Sequence, residues 1–82
     1  KIMPHIIVKW YPGRSKAQKE ALADAITREV LAVAGCAESS VSVAIEEVAP
    51  EDWAEAVYRP DILDKDETLV RKPDYNPFTE AT

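Results

Sequence analysis

Three stretches decide the fold: HIIVKWY at residues 5–11, SKAQKEALADAITREVLAVAG at residues 15–35 and VSVAIEE at residues 41–47. The first is dense in β-branched and aromatic residues and is bracketed by Pro4 and Pro12, which reads as a strand. Pro12-Gly13 then breaks it. Ser15-Lys16-Ala17-Gln18 has the form of a capping box, in which two side chains satisfy amides left unpaired at a helix start. Leu22, Ile26, Val30 and Val33 recur at helical spacing with Ala21 and Ala25 beside them, while Lys19, Asp24, Arg28 and Glu29 take the other faces. Gly35 is placed to end the helix in a left-handed conformation. Val41, Val43 and Ile45 alternate with Ser42, Ala44 and Glu46, the pattern of a strand with one buried face.

The order is therefore β-α-β, and a helix of about five turns between two strands predicts parallel pairing through a right-handed crossover. Two strands and a helix make half a core. A symmetric dimer joining two such sheets into one of four strands is the simplest completion. Downstream, Pro50-Glu51-Asp52 opens a short helix through Trp53 to Tyr58, which Pro60 is expected to stop. Residues 61–72 offer a second short helix, and residues 73–82 an irregular tail anchored by Tyr75 and Phe78. The reading is one α/β (α+β) domain over residues 1–82. Residues 1–3 are expected to be vector-derived or initiator residues, 4–48 the β-α-β core, and 49–82 short helices and tail.

The chain has 82 residues, few enough that a partner, metal or disulfide is usually needed for stability. Cys36 is the single cysteine and His5 the single histidine, so neither an internal disulfide nor a structural zinc site is expected. Association with other copies is the remaining support. Fifteen acidic against ten basic residues give a net charge of −5, which repels a phosphate backbone and argues against nucleic acid. The apolar runs are too short to cross a bilayer and residues 1–15 lack the layout of a secretion signal, so a cytoplasmic protein is expected.

Residue types alone advertise no active site: there is no Ser-His-Asp set, metal cluster or glycine-rich phosphate loop. The combined pattern is more specific. Met3-Pro4, a strand, Gly13-Arg14-Ser15-x-x-Gln18-Lys19, a helix, Ser40-Val41-Ser42-Val43, then Glu47 and Trp53 resemble the tautomerase superfamily. The similarity is to the 4-oxalocrotonate tautomerase group, and the Lys72-Pro73-x-Tyr75 segment resembles its longer-tailed members related to phenylpyruvate tautomerase.

The resemblance implies a β-α-β protomer, four-stranded dimers that in many members assemble into hexamers, and cofactor-independent enol–keto tautomerisation. It implies that Pro4 is the general acid/base through its secondary amine once residues 1–3 are removed. It also implies that Arg14 binds the substrate carboxylate and Trp53 walls the pocket. Without the resemblance, Pro4 reads as a strand opener, Arg14 as a solvated cation and Trp53 as packing. Ser42 departs from the group, where a second arginine polarises the substrate. A small 2-oxo or enol monoacid with an apolar end, such as an aryl enolpyruvate stacking near Trp53 and Trp10, fits that loss better than a dicarboxylate.

Arg59, Arg71 or Lys72 are candidates to replace the missing charge. His5, beside the proposed base, reads first as a strand histidine with one structural hydrogen bond. Cys36 is read as packing. Two rivals stand beside this: a hydratase or dehalogenase with Glu46 or Glu47 activating water, and a non-catalytic oligomeric module.

Overall fold

The computed structural model describes residues 2–80; Lys1, the first of the expected leader residues, lies outside the described residues, as do Ala81 and Thr82 of the tail. The chain divides between Glu47 and Val48 into two compact units.

In the first unit, strand β1 (His5–Trp10), helix α1 (Lys16–Ala34), a single 3-10 turn (Glu38–Ser40) and strand β2 (Ser42–Glu47) follow in order. β1 and β2 pair in parallel, His5 opposite Ser42 and Trp10 opposite Glu47. Cross-strand partners in this register share a face. Ile6, Val8, Trp10, Val43, Ile45 and Glu47 lie on one side, and His5, Ile7, Lys9, Ser42, Ala44 and Glu46 on the other. Helix α1 packs on β2, and the Lys19 ammonium reaches Glu47 at 3.1 Å, which marks the first set as the helix-covered face. On the uncovered face Ile7 is half exposed.

The helix boundaries follow from local chemistry. The Gln18 amide donates to Ser15 Oγ at 3.1 Å while the Ser15 amide donates to Gln18 Oε1 at 2.9 Å, so each cap satisfies the other's orphan group. At the far end Gly35 adopts φ 69° and its amide donates to the Leu31 carbonyl at 3.0 Å; any other residue would be strained there. Leu22, Ile26 and Val30 are half-buried as their spacing predicts, but Val33 is 86% exposed. Nineteen helical residues run roughly 28 Å and a six-residue strand roughly 20 Å, so the last turn overhangs the sheet.

In the second unit the expectation that Pro60 stops the helix is corrected. After a 3-10 turn (Pro50–Asp52), wide π-type turns run from Ala54 to Leu63 with Pro60 inside. Proline in α geometry lacks a donor and its ring meets the carbonyl four residues back; the wider turn relieves that crowding and closes with Asp64 N–H donating to Arg59 O at 2.9 Å. The second helix expected over residues 61–72 is also corrected. Its first residues complete the π segment, a single 3-10 turn spans Asp66–Thr68, and Val70 is fully exposed. The run Asp64-Lys65-Asp66-Glu67 has no apolar stripe to bury.

Tyr75 and Phe78 do anchor the tail. Tyr58, 6% exposed, donates its hydroxyl to the Tyr75 carbonyl at 3.0 Å and stacks tilted on the Tyr75 ring (5.3 Å) and edge-on to Phe78 (5.9 Å). The Arg59 guanidinium lies 4.5 Å over the Phe78 ring. Val57 and Tyr58 are the only buried hydrophobic side chains among the described residues, and both belong to this unit.

Candidate active site

Pro4 stands immediately before β1, half-buried, and its carbonyl accepts the Ser42 amide at 3.1 Å. Proline suits a strand opening because it has no amide to pair. The chain upstream turns sharply: Met3 has φ 49°, a left-handed conformation in a non-glycine residue already crowded by the following proline ring. Met3 and Ile2 are more than half exposed. With residues 1–3 attached, the Pro4 nitrogen is a tertiary amide with neither a lone pair for protons nor a proton to exchange.

Beside this end of the sheet lies an apolar hollow of about 380 Å³, lined by Ile2, Ala34, Gly35, Cys36, Ala37 and Ser40. Cys36 is half-buried there, in keeping with packing.

Arg14 lies in the loop of residues 11–15 joining β1 to α1, after Gly13 at φ 126°. Its guanidinium is exposed and forms no hydrogen bond or ion pair with the described residues. Pro4 and Arg14 thus flank opposite ends of β1, whose six residues span roughly 20 Å. One chain does not bring both to one small substrate. Trp53 belongs to the second unit, half-buried, with its indole N–H donating to the Tyr75 hydroxyl at 2.8 Å.

Of the other candidate charges, Arg59, Lys72 and Glu47 are engaged, while Arg71 is exposed. Arg59 holds Glu55 through two hydrogen bonds, at 2.9 and 3.2 Å, which lowers the Glu55 carboxyl below its ordinary pKa and raises that of Arg59. Lys72 pairs with Asp66 at 3.2 Å. Glu47 pairs with Lys19 on the helix side, while Glu46 points to the opposite face. Among the described residues no cluster of three or more His, Cys, Asp or Glu side chains could hold a metal ion, and no helix is long and apolar enough to cross a membrane.

The one hydrogen bond expected of His5 is present, and its partner is the feature that the sequence reading did not name. His5 Nδ1 lies 2.6 Å from Ser42 Oγ, so the position lacking the second arginine is occupied by a hydroxyl bound to an imidazole. The signal was available in the parallel register, which sets the first residues of the two strands side by side.

Comparison with known proteins agrees with this architecture. The Tautomerase family model, described as tautomerase enzyme, matches residues 4–59. A probable tautomerase of Xylella fastidiosa (strain 9a5c) is 47% identical over 73 residues, covering 89% of each chain. Tautomerase PptA of Cronobacter sakazakii is 47% identical over 74 residues, covering 89% of this chain and 97% of that one. Among solved structures, SAR1376, a putative 4-oxalocrotonate tautomerase from methicillin-resistant Staphylococcus aureus, superposes with a TM-score of 0.64 at 32% identity over 70% of this chain and 92% of that one. With the β-α-β fold, the parallel register and these relatives in agreement, the chain belongs to the tautomerase family of isomerases.

Proposed function

We propose that the chain catalyses cofactor-independent enol–keto tautomerisation of small 2-oxo or enol acids such as aryl enolpyruvates, with the amine of processed Pro4 as the acid/base. The observation that carries this reading is the placement of Pro4: its carbonyl is locked to β2 through Ser42, while Met3 before it holds a left-handed φ of 49° and neither Ile2 nor Met3 takes part in the sheet. Removing residues 1–3 leaves a fixed secondary amine at the mouth of a strand. An α-amine titrates near pH 8 when exposed, and apolar or cationic surroundings disfavour its charged form. Such a base takes the enol proton and returns a proton to the carbon end of the system, acting as base and then as acid.

Arg14 anchors the carboxylate through parallel hydrogen bonds, and the Arg14 that serves a given Pro4 comes from a second copy of the chain. The homodimer completes a four-stranded sheet, and the open sheet face with its half-exposed Ile7 fits a surface awaiting a partner. Trp53, held by Tyr75, supplies apolar wall. The engagement of Glu47 by Lys19 weighs against a hydratase or dehalogenase using that carboxylate to activate water.

Ketonisation of phenylenolpyruvate tests the proposal, measured for protein beginning at Pro4, for its Pro4→Ala variant and for the chain retaining residues 1–3. Acceleration by the first alone supports the amine as base. Equal rates for all three, matching the uncatalysed reaction, would remove this substrate class and favour the non-catalytic module.

A further inference from the structure

Building on the tautomerase reading above, we propose that His5 and Ser42 form one unit: the His5 Nδ1–H donates to Ser42 Oγ, and the Ser42 hydroxyl in turn donates to the 2-oxo oxygen of the substrate. His5 and Ser42 are cross-strand partners on the uncovered face, and 2.6 Å is a short bond for a nitrogen–oxygen pair. One shared proton leaves two arrangements. If the serine donates to the imidazole, Ser42 offers the substrate only lone pairs, which an oxo or enolate oxygen repels. If the imidazole donates, the serine proton is free, and it meets the atom that gains negative charge as the enol loses its proton.

The position is right for that role. The Ser42 amide is bonded to the Pro4 carbonyl at 3.1 Å. Covalent geometry then puts the Ser42 hydroxyl within about 10 Å of the Pro4 nitrogen, the span of a small acid. Ser42 would be a catalytic residue and His5 a positioning one. A hydroxyl there, in place of a cation, selects substrates with a single carboxylate, because it hydrogen-bonds an oxo group but does not neutralise a second negative charge. The exposure of both side chains is that of a site mouth open to a small ligand.

The test uses protein beginning at Pro4 and phenylenolpyruvate. Ser42→Val and Ser42→Thr share one shape and differ only in the hydroxyl, which the first lacks and the second keeps; the proposal expects kcat to fall about tenfold or more in the first and to stay within about threefold in the second, with KM little changed. His5→Ala should match Ser42→Val. His5→Asn, whose amide can place a donor where Nδ1 stood, should recover most of the rate. The double variant His5→Ala, Ser42→Val should be no slower than either alone, because both remove the same hydrogen bond to substrate. Equal rates for the Val and Thr variants, or losses that multiply in the double variant, would overturn the unit while leaving Pro4 catalysis intact. An inactive parent protein would overturn both readings.

Discussion

Pro4 and Arg14 flank opposite ends of β1, separated by a strand of six residues, so the proposed base and the proposed carboxylate anchor do not meet on one small acid within a chain. If the active site joins Pro4 of one copy to Arg14 of another, variants lacking each should complement. Mixing equal amounts of Pro4→Ala and Arg14→Ala protein and allowing subunits to exchange should restore about a quarter of parental activity, since half of the dimers are mixed and one of their two sites is intact. Activity that stays at the level of the separate variants would mean that the two residues serve the same chain or no common site.

The second unit should depend on its tyrosines. Tyr58→Phe keeps the buried ring but loses the bond to the Tyr75 carbonyl, and is expected to cost about 1 kcal/mol in urea unfolding. Tyr58→Ala should cost about 3 kcal/mol or more, because this side chain is one of only two buried hydrophobic ones among the described residues.

Glu47→Gln discriminates between chemistries. The Lys19 pair is partly exposed, so its loss should destabilise the protein by less than about 1 kcal/mol. Ketonisation of phenylenolpyruvate should stay within about twofold of the parent; a collapse of activity without loss of structure would revive a water-activating role for this carboxylate.

The Glu55 carboxyl is held below its ordinary value of 4.5 by the Arg59 hydrogen bonds. Its folded pKa is depressed, so the contribution to stability is fully present above the ordinary carboxylate value and is lost as pH falls through the folded pKa. Comparing parent and Glu55→Gln unfolding from about pH 7 to pH 3 should show a gap that closes at the acid end. The gap will be small because both groups are exposed. A gap that widens on acidification would contradict the sign.

The sheet and helix were readable because their signals are local and agree: alternation in VSVAIEE, the Ser15–Gln18 caps and Gly35 point to one answer each. Pro60 misled because the rule that proline ends a helix assumes α geometry, and nothing in the residues 54–63 announces π winding. Val33 lay on the correct stripe but beyond the end of the sheet, a matter of relative length that periodicity does not carry. Pro4, Arg14 and Trp53 were nominated by family resemblance, whereas the His5–Ser42 bond needed the strand register, and Ser42 alone read as a loss.

Titration of the Pro4 nitrogen by ¹⁵N NMR, in protein that begins at Pro4, tests the central claim most directly. The account predicts a pKa clearly below the value near 8 of an exposed α-amine, matched by the acidic limb of the kcat/KM profile for phenylenolpyruvate. An ordinary amine pKa, with a rate profile that ignores it, would contradict the account and leave Pro4 as a residue that only opens a strand.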